Sequence, residues 1–514
     1  SLTPATAAAG PRATYREWAG LAVIALPCML YSMDLTVLNL AVPHLTADLK
    51  PTSSQLLWIL DIYGFLVAGS LITMGTLGDR IGRRRLLLIG AAAFGVTSLA
   101  AAFSRSAEML IASRALLGVA GATLAPSTLS LIRSMFRDAD QRRVAIGLWV
   151  TSYSIGGAVG PLLGGILLQY FFWGSVFLIG VPVMLLLLVL GPWLLPEFRD
   201  PQAGRLDLLS AAESLIAVLG IIYGVKRLAE GGLAWPPILA IAVGLAVGTA
   251  FVRRQRRLAH PLIELALLRT PAFSAALLCY TLATFVAFGA YVFIAQYLQL
   301  VLGLDPLTAG LWTIPSMLAF IAGSMVVPGL TRQVRPATLL SAGMAFSAVG
   351  FLVLAAVGPS TGLGVLITGL VLYSIGLSPV VILATDFIVG SAPVERAGAA
   401  SAISETSSEL GGALGIAVLG SIVMATYRTG MATGLPAGLS PDVANTARGT
   451  LGAAVAVAER LPAELGGPLL ETARGAFTRG FALTSAIDAA LVLGTAAAAA
   501  LLLRKRDATG APPR

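Results

Sequence analysis

Four acidic side chains lie inside long apolar stretches of the sequence, and their positions suggest binding of protons or cations. They are Asp34, Asp61, Glu405 and Glu409. An ionised group in such a stretch is costly to bury and therefore indicates a functional site. A carboxylate shielded from water takes up a proton more readily, so it can bind a proton or a cation as its surroundings change. The chemistry that these residues favour is proton–cation exchange.

The acids differ in their predicted depth. Glu405 and Glu409 are four residues apart and share one face of a helix. We predict Glu409 as the membrane-embedded site, and Glu405 as either its partner or a first-turn acid that complements the helix dipole. Asp34 lies about 16 residues, or ~24 Å, beyond Trp18, and we predict that it binds a proton or substrate.

Asp61 and two further acids each allow more than one interpretation. Asp61 is near the external end of its segment, where a helix-cap or entrance role competes with a coupling role. For Asp386 the alternatives are a structural role and a cap or latch at the inner end of its segment, and for Asp488 they are a structural role and the lining of a cavity.

The composition is that of a membrane protein. The 514 residues are 57% hydrophobic and 11% charged, and the mean hydropathy is +0.87. Apolar segments of about 20 residues recur from Trp18 to Leu503 without the alternation of barrel strands. We therefore predict an all-α polytopic membrane protein with about fourteen transmembrane helices.

The net charge of +9 comes from basic residues that are concentrated in alternate connections, such as 80–85 and 253–257. The positive-inside rule then places both termini in the cytoplasm and the chain in the inner (plasma) membrane. This distribution argues against nucleic acid as a partner. Cys28 and Cys279 fall within separate spans, which argues against a disulfide framework. No nucleotide-binding motif, metal cluster or catalytic nucleophile is recognisable, so we expect no cofactor, no metal and no enzymatic activity.

The connection between the second and third spans carries an acid among basic residues. Its candidate gate residues are Gly75, Gly78, Asp79, Arg80, Gly82 and Arg83. The glycines allow a tight turn and close helix packing, and Asp79 can form a charge pair at a helix end. The alternatives are a latch that closes the inner gate and simple anchoring at the membrane. The string resembles the Gly-x-Leu-Ala-Asp-Arg-x-Gly-Arg-Lys signature of the major facilitator superfamily.

Two later segments strengthen this resemblance. The segment 110–118 is similar to a second motif of the superfamily, and the similarity implies that Arg114 acts near the proton-carrying carboxylates. The alternative is a structural arginine that reaches toward the membrane surface. A Gly-Pro segment resembles the motif that marks antiporters, although it could be a packing face; its residues are Gly156, Gly160, Pro161, Gly164 and Gly165.

Fourteen spans, with segments 33–43 and 57–63, resemble the drug:proton antiporter branch and most of all its Qac-type exporters. This resemblance implies two six-helix bundles with two helices inserted between them. The implied division is a cytoplasmic N-terminus at 1–17, bundles at 18–195 and 272–503, an insert at 206–252 and a cytoplasmic tail at 504–514. The second bundle would contain a long extracellular loop, 428–476, with helix-like pieces around 441–459 and 461–475. This loop would be either a solvated cap or a substrate gate.

The resemblance implies a proton-coupled multidrug efflux antiporter, driven by the proton motive force and conferring antibiotic resistance. Its partners would be protons, the lipid bilayer and small amphiphilic cations, such as dyes and quaternary ammonium antiseptics, and we expect a monomer. The segment 314–323 of the tenth span lacks the acid that such exporters often carry, which favours monovalent or neutral substrates. The alternatives are a dedicated exporter of one antibiotic or lipid, and a non-transporting scaffold or sensor.

Aromatic side chains at the predicted depth of a cavity are candidates for stacking on flat cations. Each could instead face lipid or the core. The candidates are Trp58, Tyr63, Trp149, Tyr153, Phe285, Phe288, Tyr291, Trp312 and Tyr373.

Overall fold

The computed structural model describes residues 12–201, 206–231 and 234–508, and this part of the chain is helical and contains no strand. Thirteen of its helices are long and apolar enough to cross a membrane. Helix α1, with 35 residues, packs among them. The predicted all-α membrane fold is confirmed. The predicted terminal segments 1–17 and 504–514 lie partly outside the described residues.

The helices form a first half, an inserted pair and a second half. The first half contains α1 (Tyr15–Leu49), α2 (Ser53–Ile81), α3 (Arg83–Ala102), α4 (Ala107–Gly121), α5 (Leu124–Met135), α6 (Ala139–Tyr170), α7 (Ser175–Leu178) and α8 (Gly180–Leu194). The inserted pair is α9 (Leu208–Gly231) and α10 (Trp235–Gln255). The second half contains α11 (Pro271–Gln296), α12 (Pro306–Leu311), α13 (Ile314–Leu330), α14 (Pro336–Ala355), α15 (Leu363–Ser391), α16 (Ala397–Gly434), α17 (Pro441–Gly449), α18 (Leu451–Ala458) and α19 (Ala463–Ala508).

Three predicted spans are each broken into two helices. The breaks between α4 and α5, α7 and α8, and α12 and α13 lie about one turn before Pro126, Pro182 and Pro315. Proline has no N–H to donate to the carbonyl four residues earlier, and its ring clashes with that carbonyl. These prolines therefore account for the breaks within otherwise apolar segments.

The connection predicted as the loop 428–476 is largely helical in the structure. Helix α16 runs on to Gly434, α17 and α18 follow, and α19 begins at Ala463. Helix α19 begins early because its first turns bury an apolar face: Leu469, Ala473 and Ala476 lie on one side of the helix and are fully buried. The irregular part of the connection is therefore short.

The two halves meet along a few helices. Helices α2 and α5 pack against α16, and α6 packs against α13 and α15. The inserted helix α9 packs against both α2 and α16, so it lies along the seam between the halves. The connections that follow α2, α5, α10 and α13 lie together, and we call this end of the molecule the basic end.

Candidate functional site

The centre of the candidate site is a hydrogen bond between the two halves. The hydroxyl of Tyr31, on α1, donates to Oε1 of Glu409, on α16, over 2.9 Å. Glu409 was predicted as the deeper of the two glutamates. The structure therefore places this acid at the interface between the halves, in contact with the helix that carries Asp34.

Asp34 contacts the one arginine that the sequence places deep within a span. Nη1 of Arg114 lies 3.3 Å from Oδ2 of Asp34, and Nε of Arg114 donates to the carbonyl of Ile59 over 2.6 Å. The Arg114 side chain is 1% exposed, and its guanidinium lies over the ring of Tyr63 at 5.3 Å. Arg114 is thus buried with a counter-ion and does not reach toward a surface.

Tyr31 and Asp34 lie three residues apart on α1, so they share one face of that helix. Rings from other helices pack around this face. Tyr31 lies 6.0 Å from the ring of Tyr63 and 5.7 Å from that of Tyr153, and Trp149 packs on Tyr153 at 4.9 Å. The two acids, Arg114 and these rings form one group, which we call the central cluster.

Glu405 lies next to this cluster but contacts a tyrosine of its own half. The hydroxyl of Tyr280, on α11, lies 3.5 Å from Oε1 of Glu405. Because α16 begins at Ala397, Glu405 is two turns inside the helix and is not a first-turn acid. The two glutamates are therefore bonded by tyrosines from different halves, Glu409 from the first and Glu405 from the second.

Asp61 lies apart from the central cluster and pairs with the inserted helix. It forms ion pairs with Lys226 and with Arg227, whose Nη2 is 3.8 Å from Oδ2 of Asp61. The Lys226 ammonium also lies 5.6 Å above the ring of Phe65. Sequence reasoning missed this pairing, although Lys226 and Arg227 at the end of an apolar segment were a visible signal.

The predicted gate motif meets the start of α16 at the basic end. Asp79 accepts hydrogen bonds from the backbone N–H groups of Gly398 and Ala399 at 3.0 and 2.9 Å, and pairs with Arg83 at 3.0 Å. Arg83 also donates to the carbonyl of Val394. A carboxylate at a helix N-terminus is favoured by the helix dipole. This geometry is that of a latch between the halves.

The remaining motif residues lie around this contact. Gly75 and Gly78 are buried on α2, with Gly75 against Gly398, and Gly82 adopts a φ of +110° at the turn into α3, where a side chain would be strained. Arg80 differs from Arg83, because it donates to the carbonyl of His260 after the inserted pair, over 3.3 Å.

A second contact between the halves lies at the same end. Asp386, on α15, pairs with Arg142 at 2.6 Å and with Arg143 at 3.3 Å, both from the start of α6. Arg332, after α13, adds a pair with Asp140 at 3.3 Å. Asp386 thus bridges the halves, which agrees with the latch interpretation of this residue.

The Gly-Pro segment forms part of the contact between α6 and α1. A Cβ at Gly156 would come within 2.0 Å of the carbonyl oxygen of Met29, so only glycine permits this approach. Gly160 and Gly164 are buried on the same side of the helix, whereas Gly165 is exposed. The side chain of Pro161 lies outside the described residues.

The predicted substrate aromatics do not form a single group. Tyr63, Trp149 and Tyr153 belong to the central cluster, whereas Trp58 stacks on Tyr223 of the inserted helix at 6.0 Å. The others lie in the second half. Phe285 and Phe288 pack against glycines of α16, Tyr373 is buried, and Phe288, Tyr291 and Trp312 are largely exposed. Within the described ranges, no three His, Cys, Asp or Glu side chains are grouped as they would be around a metal ion.

Comparisons with known proteins agree with this architecture. Residues 24–416 match the Major Facilitator Superfamily. The multidrug efflux pump LfrA of Mycolicibacterium smegmatis is 44% identical over 98% of this chain and 99% of its own length. The methyl viologen resistance protein SmvA of Salmonella typhimurium is 36% identical over 93% of this chain and 97% of its own.

A solved structure shares the fold at low sequence identity. The human organic anion transporter MFSD10 superposes with a TM-score of 0.57 at 16% identity, covering 93% of this chain and 99% of that one. This likeness bears on the fold alone. The family is shown by the match over residues 24–416 and by the two relatives. The chain therefore belongs to the Major Facilitator Superfamily, and it is a membrane transporter and not an enzyme.

Proposed function

We propose that this transporter is a proton-coupled multidrug efflux antiporter that exports lipophilic, mainly monovalent cations by alternating access. The observation that carries the proposal is the hydrogen bond from Tyr31 to Glu409, which joins the two halves one turn from the Asp34–Arg114 pair. An exchanger needs acids that sense both the proton and the arrangement of the halves. The central cluster meets this requirement.

In the proposed cycle, the proton and the drug compete for the same carboxylates. A proton that binds Asp34 or Glu409 removes the negative charge that attracts a cationic drug, and the drug leaves. Proton loss on the other side restores that charge. Because the two ligands exclude each other, each lowers the affinity for the other by the same factor.

Arg114 has a positioning role in this proposal. It is held by the Ile59 carbonyl and by stacking on Tyr63, so it stays in place when its contact with Asp34 weakens. Neutralising Asp34 leaves a buried cation without its counter-ion, which is energetically costly. This energetic cost favours a different arrangement of the helices after Asp34 is protonated.

The contacts at the basic end support an assignment of the conformation. Two contacts hold the halves together there. One is the hydrogen bond from the start of α16 to Asp79, and the other is the ion pair between Asp386 and Arg142. We propose that this end is cytoplasmic, with both termini on the same side of the inner (plasma) membrane, as the positive-inside rule predicts. The described conformation is then closed to the cytoplasm and corresponds to the proton-loading state.

The substrate class is proposed from the relatives and from the central cluster. Two relatives are named as a multidrug efflux pump and a methyl viologen resistance protein. Methyl viologen is a flat dication, so this name supports an aromatic cation as substrate, and the single charge rests on the absence of an acid in 314–323. Tyr63, Trp149 and Tyr153 lie beside the acids and offer ring faces to a flat cation. The proposed cycle requires no cofactor, and a single chain is enough to carry it out.

The decisive experiment measures ethidium accumulation in everted vesicles that contain the overproduced protein, with the vesicle lumen made acidic. We expect accumulation that stops when a protonophore collapses the gradient. Asp34→Asn should abolish it at unchanged protein level, and Asp442→Asn, at an exposed acid of α17, should not. Gradient-driven accumulation by Asp34→Asn at the normal rate would overturn the assignment of Asp34.

A further inference from the structure

Helix α19 carries a buried carboxylate that the proposed cycle does not use. The side chain of Asp488 is 1% exposed, and its Oδ1 has no hydrogen-bond partner. An ionised carboxylate in this position would have neither water nor a counter-charge, and burying an unpaired charge is among the most unfavourable events in a protein interior. A bound proton removes this penalty.

The helices that pack against α19 supply no cation at this depth. They are α11, α14, α16 and α18, together with the π-helical turn Tyr297–Val301 that follows α11. Helix α14 has no ionisable side chain between 336 and 355. Apart from Arg428, which is near the far end of α16, the ionisable groups of the other helices are acids, tyrosines or a thiol, namely Cys279, Tyr280, Tyr291, Tyr297, Glu405, Glu409 and Tyr427.

The basic residues of this region are too far along the helices to reach Asp488. The nearest basic residue on α19, Arg479, lies nine residues away, which corresponds to ~14 Å of helix rise. Arg428 and Arg474 lie still nearer the end of the bundle that carries α17 and α18, as do Glu459 and Arg460 after α18.

Asp488 is separate from the central cluster. Helices α16 and α19 run antiparallel, with Gly480 against Val423, so Asp488 lies eight residues further on, near the level of Gly415. Glu409 is about six residues, or ~9 Å of rise, beyond that level. Tyr31 and Asp34 belong to the first half, whereas Asp488 lies among helices of the second half.

We propose that Asp488 is a second proton-binding site of the transporter, located in the second half and occupied by a proton in the conformation described here. The proton bonds to a carboxylate oxygen, and its release when α19 shifts against the helices packed on it restores the carboxylate; no other bond changes. This inference rests on the proposed proton-coupled function and deepens it. It assigns a second proton to every cycle, in addition to the one that binds in the central cluster.

Infrared spectroscopy of the purified protein tests the site without transport. The protonated carboxyl signal of the wild type should lose one component in Asp488→Asn and none in Asp442→Asn. Asp488→Glu, which keeps a carboxyl group, serves if Asp488→Asn does not fold. If only the aspartate carboxyl groups carry ¹³C, the infrared component that the Asp488→Glu variant retains should appear at the unlabelled frequency. A signal unchanged by either Asp488 substitution would overturn the proposal.

The transport assay separates this inference from the proposed function. The ratio of protons to ethidium should fall by one proton in Asp488→Asn, while gradient-driven export persists. An unchanged ratio would refute the role of Asp488 and leave the proposed function intact. A wild type without proton-driven export would refute the proposed function, and the infrared signal would then still decide whether Asp488 holds a proton.

Discussion

Tyr31 of α1 and Glu409 of α16 are joined by a hydrogen bond of 2.9 Å that crosses from the first half of the transporter to the second. Asp34 lies one turn further along α1, where it meets Arg114. A single helix therefore carries the contact between the halves and the contact with the buried arginine. We expect protonation at either acid to alter the other through α1.

The first prediction concerns the hydroxyl of Tyr31. Tyr31→Phe keeps the ring that packs on Tyr63 and Tyr153 but removes the donor to Glu409. A hydrogen bond to a charged group contributes roughly 1.5–3 kcal/mol, so we expect the initial rate of ethidium export to fall about tenfold. The matched control is Tyr15→Phe, at an exposed residue of the same helix. Equal rates in Tyr31→Phe and the control would contradict the role of this bond.

The second prediction concerns Arg114 and its two partners. Arg114→Lys cannot contact both Asp34 and the Ile59 carbonyl, because lysine lacks the planar fork of donors. Removing one member of a buried ion pair costs roughly 3–5 kcal/mol, so Arg114→Gln should lower the unfolding temperature strongly. Combining it with Asp34→Asn should recover part of the loss, since no unpaired charge remains. Additive losses in this double-mutant cycle would show that the pair is not coupled.

The third prediction concerns the second contact at the basic end. Asp386→Asn weakens the attraction of α15 for Arg142 and Arg143, so the conformation open at this end should become more populated. Spin labels at the exposed positions Arg137 and Gln333, one in each half, should report a longer mean distance. Both native cysteines are buried, so little unwanted labelling is expected. Glu459→Gln, far from the basic end, should leave the distance distribution unchanged.

The fourth prediction is a pH dependence at the start of the inserted pair. Hydrogen bonds from Arg254 and then Ser210 lower the pKa of Asp207, which precedes α9, to about 2. Because this pKa is below the unfolded value of about 4, the pair stabilises the fold above that pH, and the contribution is lost as the pH falls toward 2. Asp207→Asn should therefore lower the unfolding temperature at pH 7, lower it by roughly half as much at pH 3, and make little difference at pH 2. A difference of equal size at all three pH values would rule out this titration.

Much of the architecture could be predicted because it depends on local properties of the sequence. Apolar length predicted the spans, and the breaks in three of them follow from prolines that were visible in the sequence. The depth of Glu405 was harder to predict, because it depends on where α16 begins. That start is set by the contact between Asp79 and the N–H groups of Gly398 and Ala399, more than 300 residues away in sequence.

The partners of the acids depend on tertiary packing and could not be predicted from local patterns. Tyr31 has no charge and stands in an apolar segment, so nothing marked it as the donor to Glu409. Asp61 was considered as a coupling residue, but its neighbours Lys226 and Arg227 come from a helix whose place beside α2 no local signal specifies. The roles of these acids in transport stay predictions.

The last prediction concerns Asp61 and the inserted helix. Asp61 is buried, and its two cations come from α9, which lies along the seam between α2 and α16. This geometry favours a tether that holds the inserted pair on the first half over a coupling role. Lys226→Met alone leaves Arg227 as a counter-ion and should have a small effect, whereas the double variant with Arg227→Leu leaves a buried charge unpaired and should destabilise the protein by about 3 kcal/mol or more.

Adding Asp61→Asn to that double variant removes the unpaired charge. We therefore expect the triple variant to recover most of the lost thermal stability in detergent and to retain gradient-driven ethidium export, because a tether needs no proton. If Asp61 is instead a coupling residue, we expect the opposite result, because export should fail in any variant in which this position cannot ionise. The triple variant separates these roles because its stability and its transport are measured on the same protein.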